Sequence, residues 1–170
     1  MPLMEQQRLG GMIRIRAMEE GDDAIIAGIV RENLRRYQLD IPGTAYFDPQ
    51  LDHLSAYYAS APERVYFVAE TETGEVVGGI GMDVFPGFDR CGEIQKLYVA
   101  DGCKRRGIGQ QLLRWIEDYA RRIGLTHAYL ETHSALREAL CLYEKNGYLR
   151  IDRPAAVVHS TMDRFYMKKL

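Results

Sequence analysis

Three basic residues and two glycines stand together where a strand-like segment gives way to a long amphipathic one. The stretch reads KRRGIGQQLLRWI, and Gly107 and Gly109 lie at the predicted start of a helix. Glycine costs a helix about 1 kcal/mol relative to alanine, so a tight turn or a close approach to the backbone must require it. A helix N-terminus carries unpaired N–H groups and a partial positive charge. The stretch is therefore typical of an anion site, with phosphate as the usual ligand.

Two familiar phosphate-binding loops do not match this stretch. The nucleotide-hydrolase loop requires G-x-x-x-x-G-K-[ST]; Gly102 and Gly107 have its glycine spacing, but Ile108 and Gly109 stand where lysine and serine or threonine must be. The dinucleotide fingerprint requires G-x-G-x-x-G, and Leu112 replaces its last glycine. A third alternative stays open, in which the glycines only permit a tight strand-to-helix turn and the basic residues form a solvated cluster.

A tyrosine near the end of a later predicted helix, residues 134–146, is the second candidate for chemistry. Tyr143 lies one turn before Gly147, which is placed to end that helix. A positioned phenol can donate a proton to a developing anion. The alternative is a core aromatic packed beside its leucine neighbours, which is what a tyrosine at helical spacing usually is.

A carboxylate on the strand before the glycine turn is the third candidate. In the segment GEIQKLYV, strand alternation predicts Glu93, Gln95, Leu97 and Val99 on one face of the sheet. A carboxylate whose pKa is raised by burial could accept a proton near neutral pH, as a general base does. A solvated or ion-paired strand carboxylate is the alternative.

The elements that must position these residues follow from the periodicity of the chain. Period-two alternation predicts strands and period-3.6 stripes predict helices, in the order β-α-α-β-β-β-α-β-α-β-β. No predicted linker is long enough to divide this pattern. We therefore expect the α/β fold class, with a mobile leader over residues 1–11 and a single domain over residues 12–170.

Composition narrows the class of protein. The formal net charge of -2 argues against a protein that mainly binds nucleic acid, and no apolar run approaches the roughly 18 residues of a membrane span. The cysteines and histidines show neither a disulfide framework nor metal-ligand spacing, which predicts a reducing, cytoplasmic location and no metal. The residues concerned are Cys91, Cys103, Cys141, His53, His127 and His133.

Together the two motifs resemble the signatures of the GNAT superfamily of N-acetyltransferases. KRRGIG is similar to the family's [Q/R]-x-x-G-x-[G/A] loop, with Lys104 in the Q/R place. ALCLYEKNGY, residues 139–148, is similar to A-x-x-L-Y-E-K-x-G-[F/Y], which is a far more specific match. The chain departs from the family at Leu136, where an asparagine is usual.

The resemblance implies a GNAT-like fold, with a mixed central sheet of about six to seven strands flanked by about four helices. A splayed pair of strands would form the cleft for acetyl-CoA, the cosubstrate. Its pantetheine would pair with the strand backbone, and its pyrophosphate would bind at the glycine turn. The residues implied to bind acetyl-CoA are Leu97, Tyr98, Val99, Lys104, Arg105, Arg106, Gly107, Ile108, Gly109, Gln110 and Tyr143.

The activity implied by the resemblance is transfer of an acetyl group from acetyl-CoA to a primary amine, by direct attack in a ternary complex. Tyr143 would be the general acid and Glu93 the general base. The acceptor would be a small-molecule or peptide amine, and a homodimer is compatible with the family. The residues implied to line the acceptor pocket are Tyr46, Phe47, His159, Asp163 and Tyr166.

A module of the same fold without catalytic activity, which binds acyl-CoA or a protein partner, is the alternative function. The departure at Leu136 favours this alternative, whereas the retained Tyr143 opposes it.

Overall fold

The computed structural model describes residues 8–9, 13–157 and 160–170. Within the predicted leader, the described pair forms a two-residue strand, β1 (Arg8–Leu9); the rest of residues 1–11 lies outside the described residues. The remaining helices and strands are β2 (Ile13–Ala17), α1 (Asp23–Arg36), α2 (Leu54–Ala59), β3 (Val65–Thr71), β4 (Val76–Val84), β5 (Cys91–Val99), α3 (Ile108–Arg122), β6 (His127–Thr132), α4 (Arg137–Lys145), β7 (Leu149–Ile151) and β8 (Arg164–Lys169).

One mixed sheet runs through the described part of the chain, in the order β1-β2-β3-β4-β5-β6-β8-β7. Neighbouring strands there are antiparallel except β5 and β6, which are parallel. The predicted α/β fold with about four helices is confirmed. The sheet has eight strands in the described residues because the two-residue β1 adds an edge strand.

Helices cover both faces of this sheet and create two cores. The apolar stripe of α3, which includes Leu112, Leu113 and Ile116, packs on one face. The stripe of α1, which includes Ile26 and Val30, packs on the other face together with α2. Each such side chain contributes about 1.5–3 kcal/mol when it is fully buried, so the two stripes hold the sheet between them.

Glycines in β4 make room for two tyrosines that cross the sheet. A Cβ on Gly79 would overlap the ring of Tyr66, with the Tyr66 hydroxyl oxygen at 2.7 Å, and a Cβ on Gly81 would lie 2.6 Å from the Tyr58 hydroxyl. Tyr66 is buried and donates its hydroxyl proton to the Lys96 carbonyl oxygen at 2.8 Å. The glycines therefore let a buried phenol reach the backbone of β5.

Replacing Gly79 with alanine is expected to destabilise the protein by about 1–3 kcal/mol, because the new Cβ would overlap the buried Tyr66 ring and displace it. Gly28 is a matched control, since it lies exposed in α1 and a Cβ there would contact nothing. Gly28→Ala should instead stabilise the helix by about 1 kcal/mol. Urea unfolding of both variants measures the difference, and equal effects would contradict the crossing-tyrosine explanation.

Candidate active site

The site begins where β5 and β6 separate. The two strands pair only from Cys91–His127 to Glu93–Tyr129, although β5 continues to Val99 and β6 to Thr132. Parallel strands that stop pairing leave backbone groups without a strand partner on their facing edges. The splayed pair expected from the family resemblance is therefore present.

A cavity of about 700 Å³ opens beside this splay, between the end of β5, the glycine turn, the first turn of α3 and α4. Most of the predicted acetyl-CoA set lines it. Arg106, which the structure also describes, is not among the lining residues. The lining members of that set are Leu97, Tyr98, Val99, Lys104, Arg105, Gly107, Ile108, Gly109, Gln110 and Tyr143.

Glycine is required at the two positions of the turn for different steric reasons. Gly107 is the N-cap of α3 and has φ 76°, a left-handed conformation that glycine adopts without strain. A Cβ added there would meet open space. A Cβ on Gly109 would lie 3.3 Å from Cδ2 of Leu142 in α4. The tight-turn alternative therefore explains Gly107, and close packing of α3 on α4 explains Gly109.

The basic residues of the turn differ in what they contact. Lys104 Nζ lies 2.9 Å from Asp101 Oδ1 and 5.5 Å from the centre of the Tyr37 ring, and Arg36 contacts the other oxygen of Asp101 at 3.0 Å. Arg105 is exposed at the cavity. Two cations thus stand beside the N-terminus of α3, whose N–H groups and partial charge favour anions.

A bulge in β5 overturns the predicted alternation of its side chains. Lys96 has φ 48°, and the pairing with β4 shifts between Gly79 and Gly81, so Lys96 and Leu97 together oppose one residue of β4. The extra residue exchanges the faces beyond it. Glu93 and Gln95 therefore do not share a face with Leu97 and Val99: Gln95 accepts a hydrogen bond from Tyr58 on the α2 side, whereas Leu97 and Val99 pack on the α3 side.

The backbone of Val99 is held at the mouth of the splay. Ala100 N donates to Val77 O in β4 at 2.8 Å, so strand alternation directs the amide of Val99 away from β4, towards the splay. The buried Asn33 of α1 donates to Val99 O at 3.0 Å and to Ile29 O at 2.9 Å. Asn33 also lines the cavity. The signal that could have revealed it is a single amide within the apolar stripe of α1.

Tyr143 is a buried residue of the cavity lining, and its ring packs against Tyr148. The residue is 6% exposed, and its ring contacts that of Tyr148 edge to face at 5.8 Å between centroids. Burial, with a smaller contribution from Tyr98, raises the pKa of Tyr143 well above its usual range. Tyr148 donates its hydroxyl proton to buried Glu117 at 3.0 Å, and Lys168 pairs with the same carboxylate. The phenol of Tyr143 is therefore protonated at neutral pH.

Glu93 lies at the vertex of the splay, on the last residue pair that joins β5 to β6. Burial, followed by the carboxylates of Glu131 and Asp83, raises its pKa to about 7, against a hydrogen bond from Gln95. A carboxyl group with this pKa can exchange protons near neutral pH. Glu93, although described, is not a lining residue of the cavity that contains Tyr143.

The described members of the predicted acceptor set do not line this cavity. Tyr46 accepts hydrogen bonds from Arg35, and Phe47 is 57% exposed beside it. Asp163 accepts from the backbone and hydroxyl of Ser134. Tyr166 is buried and donates to Glu144 at 2.9 Å. His159 lies outside the described residues.

Two further properties concern only the residues that the structure describes. Within residues 8–9, 13–157 and 160–170, histidine, cysteine and acidic side chains form no group of three that could hold a metal ion. None of the helices in the same ranges is long and apolar enough to cross a membrane.

Comparison with known proteins gives the family. A model described as the acetyltransferase (GNAT) family matches residues 30–148. The chain is 38% identical over 134 residues to YjgM, an uncharacterized N-acetyltransferase of Escherichia coli K12, across 77% of this chain and 78% of that protein.

Solved structures share the fold at lower sequence identity. An acetyltransferase of the GNAT family from Staphylococcus aureus superposes with a TM-score of 0.81 at 20% identity, over 93% of this chain and 99% of that one. The PaiA N-acetyltransferase of Thermoplasma acidophilum, solved with coenzyme A, gives 0.73 at 18% identity, over 93% and 99%. With its motifs, its splayed strands and these likenesses, the chain belongs to the GNAT family of acetyltransferases.

Proposed function

We propose that this acetyltransferase transfers the acetyl group of acetyl-CoA to a primary amine, by direct attack while both substrates are bound. The observation that carries the proposal is the single cavity that joins the N-terminus of α3 to the phenol of Tyr143. An anion site and a proton donor in one cavity match a ligand that has phosphates at one end and a thioester at the other.

The residues of the cavity fit acetyl-CoA in chemistry. The open space at Gly107 and the cations Lys104 and Arg105 suit a pyrophosphate. The apolar side chains of Leu97 and Leu142 suit the pantetheine chain, and the Val99 amide suits one of its carbonyl groups. Acetyl-CoA supplies the acetyl group as a thioester.

The chain's own residues take up the proton that the attacking amine loses and stabilise the thiolate that leaves. Glu93, with its pKa of about 7, accepts the proton of the amine from the α2 side of the sheet. Tyr143 donates a hydrogen bond to the leaving thiolate from the α4 side. Because the splay opens the sheet between these faces, an amine and a thioester can meet there.

We assign the binding of the acceptor amine to the loop that follows α1. Asp48 pairs with Lys96 at 2.7 Å, which fastens the neighbouring Tyr46 and Phe47 to the bulge of β5. We assign to these two aromatic side chains the wall of a pocket for a small-molecule or peptide amine. We assign supporting roles to Asp163 and Tyr166. Asp163 accepts a hydrogen bond from Ser134, which precedes α4, and the Tyr166 ring lies 6.3 Å from the ring of Tyr143.

Coenzyme A should raise the melting temperature of the protein. At a ligand concentration 100 times the dissociation constant the stabilisation is about 2.7 kcal/mol, which corresponds to about 5–10 °C for a domain of this size. Replacing Lys104 and Arg105 by alanine should reduce the shift, whereas Arg90→Ala, an exposed residue outside the cavity, should not.

Turnover of acetyl-CoA distinguishes an enzyme from the alternative, a module of the same fold without catalytic activity (the silent module). Release of the free thiol from acetyl-CoA, followed with a panel of polyamines, amino acids and peptides, should identify a responsive amine. No thermal shift at millimolar coenzyme A would contradict the proposed binding. A shift without turnover on any amine would favour the silent module.

A further inference from the structure

Two amide side chains connect the glycine turn to the helix that contains Tyr143. Gln110, in the first turn of α3, donates to the side-chain oxygen of Asn146 through Nε2. Asn146 Nδ2 donates in return to Gln110 Oε1 at 2.7 Å. The residues are 36 positions apart in sequence, so this reciprocal pair joins two separate segments of the site. We call it the amide clasp.

Asn146 also binds the backbone carbonyl groups of Tyr143 and of the residue before it. Its Nδ2 donates to the Leu142 carbonyl oxygen at 2.7 Å, and its own N–H donates to the Tyr143 carbonyl oxygen at 3.1 Å. A movement of α3 relative to α4 would therefore be transmitted directly to the turn of helix that carries the phenol.

Beside the clasp, α3 and α4 pack closely at Gly109. Leu142 lies against the position of Gly109, where a Cβ would be only 3.3 Å from Cδ2. Gly109 thus lets the two helices approach closely, and the clasp sets their register through directional hydrogen bonds. Gln110 and Asn146 are both half-buried, so the pair is partly shielded from solvent.

Capping of α4 alone does not explain the arrangement. Asn146 is the C-cap of α4, and the bond to Leu142 O satisfies one terminal carbonyl. That role needs no partner in α3. The reciprocal bonds to Gln110, a residue that lines the cavity, are additional.

We infer that Gln110 and Asn146 are positioning residues, whose clasp fixes the distance between the anion site at the N-terminus of α3 and the phenol of Tyr143. The inference rests on the proposed function, because this distance matters only if one ligand occupies both ends of the cavity. A ligand held by its phosphates then presents its thioester at a constant place relative to the phenol. A misplacement of about 1 Å can cost about 100-fold in rate.

A double-mutant cycle tests the clasp. The variants are Gln110→Ala, Asn146→Ala and the double variant, with Arg114→Ala as an exposed control on α3 outside the cavity. The measurements are kcat, KM for acetyl-CoA, and the Kd of 3′-phospho-ADP, which is the nucleotide half of coenzyme A. Thermal unfolding shows that each variant is folded.

Each single variant should lower kcat about 10- to 100-fold, and the double variant should be no worse than the more damaged single one, because either change already breaks the clasp. The Kd of 3′-phospho-ADP should stay within about twofold in Asn146→Ala, since Asn146 is not a lining residue of the cavity and the anion site is intact in that variant. Gln110→Met keeps the length of the side chain without a charge but removes both hydrogen bonds to Asn146, so its kcat should fall as far as that of Gln110→Ala. This variant carries the test if an alanine variant fails to fold.

Single variants whose losses in kcat multiply in the double variant would overturn the inference, as would an unchanged kcat or, in Asn146→Ala, a matching loss of 3′-phospho-ADP affinity. These results require a wild type that is active. A wild type that neither binds coenzyme A nor turns over acetyl-CoA contradicts the proposed function itself, which distinguishes the two failures.

Discussion

Replacing Tyr143 with phenylalanine is expected to lower kcat about 100- to 1,000-fold, as removal of a single donor to a developing anion does in other enzymes. KM for acetyl-CoA should change little, because the aromatic ring and its contact with Tyr148 remain. The loss belongs to the transition state, where negative charge develops on the leaving sulfur.

The expected loss follows from the surroundings of the phenol. Burial raises the pKa of Tyr143 above its usual range, whereas a free thiol has a pKa of about 8.5. Complete transfer of the proton to the thiolate is therefore uphill, and the phenol acts chiefly as a hydrogen-bond donor. In a buried site such a bond is worth more than in water.

Steady-state kinetics with a responsive amine measures this effect. Tyr119→Phe is a matched control, since Tyr119 is also a buried tyrosine, lies in α3 and does not line the cavity among the described residues. Its kcat should stay within about twofold of the wild type. A Tyr143→Phe variant as active as this control would remove the phenol from the mechanism.

Replacing Glu93 with glutamine is expected to lower kcat/KM about 100- to 10,000-fold, the usual contribution of a general base. The wild-type rate should rise with pH and level off above about 7, because Glu93 must be ionised to accept a proton and its pKa is about 7. In the variant the levelling off near pH 7 should be absent, because its rate should follow the neutral fraction of the free amine, which keeps rising with pH. The pH profile therefore separates loss of a base from a general structural defect.

The same substitution should stabilise the protein at alkaline pH. An unfolded glutamate has a pKa of about 4.3, and the folded-state pKa of Glu93 is about 7. The folded state therefore binds the proton more tightly, and Glu93 reduces stability progressively as pH rises from about 4.3 to 7. One pKa unit corresponds to about 1.36 kcal/mol, so above pH 7 the glutamine variant should be more stable by about 3–4 kcal/mol, whereas at pH 4 the two proteins should be nearly equal.

Thermal or urea unfolding at pH 4 and pH 8 measures this difference. Glu72→Gln, at an exposed position in the turn after β3, is the control and should show no such pH-dependent gain. A Glu93→Gln variant that is less stable than the wild type at pH 8 would show that the charged carboxylate is favourable in the fold, and the proposed role as a base poised near neutral pH would fail.

Local sequence was sufficient to predict much of this site. The turn at Gly107 requires a residue in the left-handed conformation immediately before α3. The helix that carries Tyr143, α4, ends shortly before Gly147, which also has a left-handed conformation. Both requirements lie within a few neighbouring residues, so they leave a readable pattern. The fold class followed in the same way from the order of strands and helices, which the structure confirms.

The faces of β5 could not be predicted locally. Strand alternation holds only for a regular strand, and the bulge at Lys96 exchanges the faces beyond it. Nothing in the segment GEIQKLYV marks the bulge, and the group that binds the bulged residue lies elsewhere in the chain, since Tyr66 of β3 donates to the Lys96 carbonyl oxygen. The prediction that Glu93 shares a face with Val99 failed for this reason.

By itself, the sequence determined the two motifs, the family and the residue types available for binding and proton transfer, because short-range spacing is enough to define them. Only the tertiary structure decided how they act together. Asn33 of α1 reaches Val99 of β5, burial together with Glu131 and Asp83 of neighbouring strands raises the pKa of Glu93, and the amide clasp joins α3 to α4. Burial and long-range hydrogen bonds depend on which segments meet in space, and no local pattern contains that information.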